Sequence, residues 1–146
     1  MADITNITDI TEEDFEKEHA AYLEELMYFG VGAGVQVCYA RSVAGGWHHD
    51  LETGKFKDRN KGEMLMLIVS EVAEAMEGER KGKMDDHLPH RPSAEVELAD
   101  AVIRIMDYCG RWNYDLAGAI VEKLDYNSKR ADHKPENRKL SGGKKF

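Results

Sequence analysis

The sequence predicts an all-α fold, a bundle of four or five helices. Three observations lead there. No stretch alternates apolar and polar residues convincingly enough for a strand. Apolar residues recur every three to four positions across residues 62–80 and 93–108, the spacing of a helix with one buried face. Helix punctuation bounds these stretches, with Gly45-Gly46 before the first and Gly82, Pro89 and Pro92 between the two. At 146 residues a single domain is the default, long enough to bury a real core. Within it, residues 1–14 read as an N-terminal arm and residues 131–146 as a flexible basic segment.

Residues 1–10 are polar with a weak recurrence of Ile4, Ile7 and Ile10, as in a loose arm or docking segment. Thr11 followed by Glu12, Glu13 and Asp14 has the form of a helix start, a capping hydroxyl before acids in the first turn. The helix that follows offers Phe15, Ala20 or Ala21, Tyr22, Leu23, Leu26, Met27 and Phe29 for burial. Gly30, Gly32 and Gly34 predict a break, with a second helix over about residues 35–43; the alternative is one long kinked helix. Gly45-Gly46-Trp47-His48-His49-Asp50 ends it, and residues 50–61 form a charged loop. Trp47 is a candidate for stacking on a base, although such a Trp more often closes the end of a bundle. His48 and His49 are neighbours and make a poor chelate. Gly62 to Arg80 is the strongest helix. Residues 83–92 are a loop enforced by Pro89 and Pro92. Ser93 is placed to cap the next helix, which runs to about Tyr108. Gly110 to Asn113 reads as a turn, and a last helix opens at Tyr114 or Asp115 and ends near Lys129. Residues 131–146 look extended or disordered. These helices are apolar over more than half their circumference, so a homo-oligomer is expected.

Composition excludes several classes of function. Net charge is −8, which argues against a nucleic acid polymer as the main partner. From Lys123 onward there are eight Lys or Arg against three Asp or Glu, a local basic end suited to phosphates. No run approaches a membrane span. Met1-Ala2-Asp3-Ile4-Thr5 lacks the basic and apolar regions of a signal peptide. Cys38 and Cys109 have no metal-ligand spacing and read as two buried, reduced thiols, which fits a cytoplasmic protein; the alternative, a disulfide between them, has no support in the sequence.

The residues that carry chemistry are two carboxylate pairs. Glu71 and Glu74 stand three apart on one helix, and Glu97 and Asp100 do so on the next. At about 100° per residue, Glu71 shares an angular sector with Met64, Leu67, Ile68 and Ala75, which should face a core. On the following helix Glu97, Asp100, Arg104 and Asp107 make a narrow polar stripe beside Val96, Leu98, Ala99, Val102, Ile103, Ile105 and Met106. A carboxylate aimed at a core is costly unless compensated. Four that converge need cations between them, and all-oxygen ligands favour Mg²⁺ or its substitute Mn²⁺. The plainer reading, a solvated charge stripe, suits Glu97 and Asp100 taken alone.

Glu71-x-x-Glu74, a spacer of 22 residues, and Glu97-x-x-Asp100 together resemble the MazG-like nucleotide pyrophosphohydrolases of the all-α NTP pyrophosphatase superfamily. The segments 85–92, 96–104 and 122–130 and the Gly-Gly-Lys-Lys-Phe end are similar to short phage and bacterial members. The resemblance covers about residues 60–146. It implies Mg²⁺-dependent hydrolysis of a nucleoside triphosphate to the monophosphate and pyrophosphate, in a homodimer or homotetramer. It makes Glu71, Glu74, Glu97 and Asp100 the catalytic metal ligands. It gives Lys123, Asn127 and Arg130, at i, i+4 and i+7, to the substrate phosphates, with Lys144 and Lys145 joining them. The chain lacks a G-x-x-x-x-G-K-[ST] loop, so P-loop cleavage at the γ-phosphate is not expected. A di-iron bundle is disfavoured, since it uses Glu-x-x-His where this chain has Glu74 and Asp100. The non-enzymatic rival is a helical interaction module that docks a basic partner on its acidic face.

Overall fold

The computed structural model describes residues 12–142 and residue 144, with side chains from residue 16 onward. The arm over residues 1–10, the Thr11 cap, the side chain of Phe15, and Lys145 lie outside the described residues. Those residues form an all-α fold, with α1 Glu12–Ala44, α2 Lys61–Lys81, α3 Ser93–Arg111, α4 Leu116–Lys129 and a short α5 Pro135–Arg138. Extended pairing among them is confined to two isolated bridges, His49 with Phe56 and Met84 with Pro92. The chain divides into two compact units. One takes Gly32–Leu116; the other takes the described residues of Met1–Val31 and Ala117–Phe146.

The glycines at 30, 32 and 34 do not break the first helix, which runs unbroken for 33 residues. Each glycine costs a helix about 1 kcal/mol relative to alanine, a penalty that the rest of a long helix can absorb. Gly34 has a packing reason to be there. A Cβ on it would lie 2.9 Å from Met106 Sδ, so α3 comes close to α1 at this point. Gly110 does the same from the other side, where a Cβ would lie 2.5 Å from Tyr39 Cβ.

Helix α2 starts where Asn60 Oδ1 accepts the Glu63 N–H at 3.1 Å and stops at Gly82, whose φ of 59° is left-handed. Helix α3 opens with Pro92 in the N-cap position, and Ser93, expected as the cap, is instead its buried first residue. Between them Asp85 accepts the N–H groups of Leu88 and His87, which closes the loop and holds its carboxyl below the usual carboxylate range.

Helices α2 and α3 form the main packed pair of Gly32–Leu116. The seam is made of small residues. Ala75 and Gly78 on α2 face Ala94 and Ala101 on α3, all buried. A Cβ at Gly78 would come within 3.0 Å of the Ala94 nitrogen, so the backbones approach closely. The larger apolar residues of α3 contribute less than their periodicity suggests, since Leu98, Val102 and Ile103 are exposed. On α2, Leu65, Val69, Val72 and Met76 form a second exposed stripe. Helix α3 runs three residues past its expected end at Tyr108, and Cys109 near that end is buried. Cys38 is half-buried, and neither cysteine is in a disulfide.

In the other unit, Tyr22, Leu23, Leu26 and Phe29 of α1 are exposed rather than buried. The segment after Lys129 is not simply extended. It contains a 3-10 turn, Ala131–His133, and then α5, with Asn137 Nδ2 donating to Ala131 O at 2.6 Å. No helix among the described residues is long and apolar enough to cross a membrane.

Candidate metal centre and the groove beside it

The close α2–α3 seam is what brings carboxylates together. Its residues on α2 recur as Met64, Glu71, Ala75 and Gly78, so Glu71 takes a core position and is 7% exposed. On α3 the seam runs Ala94, Glu97, Ala101. Glu71, Glu97 and Asp100 each place one carboxylate oxygen so that all three lie within 4.8 Å of one another. Glu74 stands outside this group and is exposed. It lies 60° round the helix from Glu71, off the buried line of Met64, Glu71, Ala75 and Gly78.

The buried acid has a partner inside the chain. Arg104 Nε donates to Glu71 Oε1 at 2.7 Å. One guanidinium does not quiet the cluster. Partial burial, and then repulsion from Glu74, Glu71, Asp100 and Asp85, pushes the Glu97 carboxyl above the usual glutamate range. Three convergent carboxylates with a residual excess of negative charge suit a hard divalent cation.

Asp100 and Arg104 also line a groove of about 670 Å³, with Trp47, Lys57, Arg59, Asn60, Glu63 and Asp107 among its other walls. Trp47 is 69% exposed, and its carbonyl is held at 2.8 Å by the Arg59 guanidinium. It therefore does not close a core; its ring is a wall of the groove. Asp107, one of those walls, belongs to a pair that the sequence did not announce. His48 is fully buried, and its Nε2 lies 2.8 Å from Asp107 Oδ1. The other ring nitrogen, Nδ1, is buried without a hydrogen-bond partner. Phe56 stacks on the His48 ring at 5.9 Å, and Tyr39 meets it edge-on at 5.3 Å. Asp107 belonged to the polar stripe of α3. His48 sits after α1 in a loop, where periodicity gives no burial signal.

The remaining expected site residues belong to the other unit. Lys123 and Asn127 lie on α4, with the Lys123 ammonium 4.6 Å from the Tyr126 ring centre. Asn127 Oδ1 is buried without a hydrogen-bond partner. Arg130 is not the third member of a helix face. Helix α4 ends at Lys129, and Arg130 is extended and bound through two nitrogens to the Asp132 carboxylate, at 2.9 and 2.6 Å. Lys144 Nζ lies 3.4 Å from His133 Nε2. No family model, no curated protein and no solved structure matches the chain.

Proposed function

We propose that the chain is a MazG-like nucleoside triphosphate pyrophosphohydrolase. The observation that carries this reading is the trio Glu71, Glu97 and Asp100, with oxygens within 4.8 Å, at the edge of a groove large enough for a nucleoside. The donor set is all oxygen and suits Mg²⁺ or Mn²⁺. Bound there, such an ion would supply charge neutralisation at the phosphoryl group and an acidified water. The chain's own part is positional. Glu71, fixed in the seam by its neighbours Met64 and Ala75, holds one side of the ion site from α2, and Glu97 and Asp100 hold the other from α3. Asp100 faces both cluster and groove, so a nucleotide with its phosphates at the cluster would extend its nucleoside toward Trp47, whose exposed ring offers a stacking surface. The resemblance adds Lys123, Asn127, Arg130, Lys144 and Lys145 as phosphate contacts, and Arg130 would have to leave Asp132 to act so. Exposed Leu65, Val69, Val72 and Met76 on α2, with Leu98 and Val102 on α3, support a homodimer or homotetramer in which a second copy covers them.

The test is a panel of ribo- and deoxyribonucleoside triphosphates with Mg²⁺ in ¹⁸O-labelled water. The expected products are pyrophosphate and a nucleoside monophosphate that carries the label. Label in orthophosphate, with a nucleoside diphosphate beside it, overturns the reaction class. Silence across the panel, together with tight capture of a basic protein, turns the acidic face into a docking surface.

A further inference from the structure

Arg104 is the cation that the carboxylate cluster already holds. It crosses from α3 to α2, with Nε 2.7 Å from Glu71 Oε1. Its position is unlike that of its partner: the Arg104 side chain is 43% exposed and forms part of the groove wall, whereas the Glu71 side chain is 9% exposed. A carboxylate buried this deeply cannot be left without a cation, because an unpaired buried charge is strongly destabilising. In the metal-free chain Arg104 fills that need. It does so incompletely, since Glu97 is still held against three or more neighbouring carboxylates. A divalent ion between Glu71, Glu97 and Asp100 would fill it better, yet that ion and the guanidinium would share one carboxylate, and like charges a few ångströms apart repel.

Resting on the metal-centre reading above, we infer that Arg104 is an exchangeable counter-ion, bound to Glu71 while the cluster lacks a metal and handed to the substrate's phosphates when a divalent ion takes Glu71. Three features allow the exchange. The arginine is long and nearly half exposed, so its head can leave the seam without moving α3. The place it moves to is the groove it already lines. Its planar fork of N–H donors matches a phosphate as well as it matches a carboxylate. The device keeps the apo fold tenable and delivers a positive charge to the polyphosphate only once the metal is in place.

The competing role is a fixed support, in which Arg104 orients Glu71 for the metal. The two roles predict opposite signs for metal affinity. Mn²⁺ is titrated into the nucleotide-free protein, wild type and Arg104→Ala, and read by the loss of its free electron-spin signal. Exchange predicts that the variant binds Mn²⁺ about tenfold more tightly or better, because a competing cation is gone. It also predicts that Mn²⁺ raises the melting temperature of Arg104→Ala more than that of the wild type, and that the Mn²⁺-loaded variant binds inorganic pyrophosphate more weakly. Should Arg104→Ala fold poorly, Arg104→Lys keeps the charge without the planar fork, and exchange predicts for it weaker pyrophosphate binding in the Mn²⁺-loaded protein. Equal or weaker Mn²⁺ binding by a folded Arg104→Ala overturns this inference and leaves the metal centre standing. Absence of Mn²⁺ binding by both proteins overturns the metal centre and this inference with it.

Discussion

Substituting Gly110 with alanine tests whether α3, which carries Glu97, Asp100, Arg104 and Asp107, is seated against α1 as described. The new Cβ would lie 2.5 Å from Tyr39 Cβ and 2.8 Å from its Cγ. A change of χ1 can swing Cγ aside, but no side-chain rotation moves Cβ, which is fixed to the main chain. Relief therefore requires a backbone shift, and overpacking of this kind costs about 1–3 kcal/mol or more. A 2.5 Å contact with a fixed atom belongs at the upper end of that range, about 3 kcal/mol, and alanine returns about 1 kcal/mol of helix propensity, so the net loss should be about 2 kcal/mol. For a chain of this size that lowers the melting temperature by about 4–8 °C. Gly32→Ala is the internal control. It lies in α1, the helix that carries Tyr39, with nothing within 4 Å of its Cβ, so it should gain about 0.5–1 kcal/mol. Thermal melts followed by far-ultraviolet circular dichroism separate the two signs. The push on Tyr39 also reaches His48, whose ring it meets edge-on, and through it Asp107. Gly110→Ala as stable as the wild type would refute the close α1–α3 approach, and with it the packing of Tyr39 on the His48–Asp107 pair.

Two further outcomes concern the cluster. Asp100→Asn should weaken Mn²⁺ binding by tenfold or more, about 1.4 kcal/mol, whereas exposed Glu74→Gln should weaken it less, measured by the same titration; a larger loss at Glu74 would place the ion further along α2. Glu97→Gln should stabilise the metal-free protein at neutral pH. The carboxyl of Glu97 is raised in the folded state, so its charged form opposes folding: the penalty is absent below the ordinary glutamate range, grows as pH rises toward the raised value, and is fully present above it. Chemical denaturation of wild type and variant across that range should show a gap that closes as pH falls, and a gap that widens toward acid would contradict the assignment of Glu97 to a repulsive site.

The parts of the molecule that the sequence makes legible are those with a helical period. Glu71 could be placed in a core position because Met64 and Ala75 share its sector at steps of seven and four residues, and its burial follows that register. The same arithmetic did not separate Glu71 from Glu74, because three residues round a helix counts as one face until the width of the buried stripe is known. That width is set by the partner helix, here by Ala94 and Ala101, whose small size draws α3 in and leaves Glu74 outside. The break expected at Gly30, Gly32 and Gly34 failed for a related reason. Propensity registers what a glycine costs its own helix and not what a neighbouring helix gains by lying against it, and Gly34 is where Met106 lies. His48 was out of reach altogether, since a loop has no period from which burial can be read. Arg104 was visible four residues after Asp100 and of opposite sign, which on a single helix reads as an ordinary surface pair. Its partner proved to be Glu71, 33 residues earlier on the other helix. The misses at Glu74 and Arg104 share one cause. Small residues in the α2–α3 seam bring two backbones close, that closeness gathers like charges, and the gathered charges require a cation, so the feature least conspicuous in the sequence, a run of alanines and a glycine, is what gives the acids their chemistry.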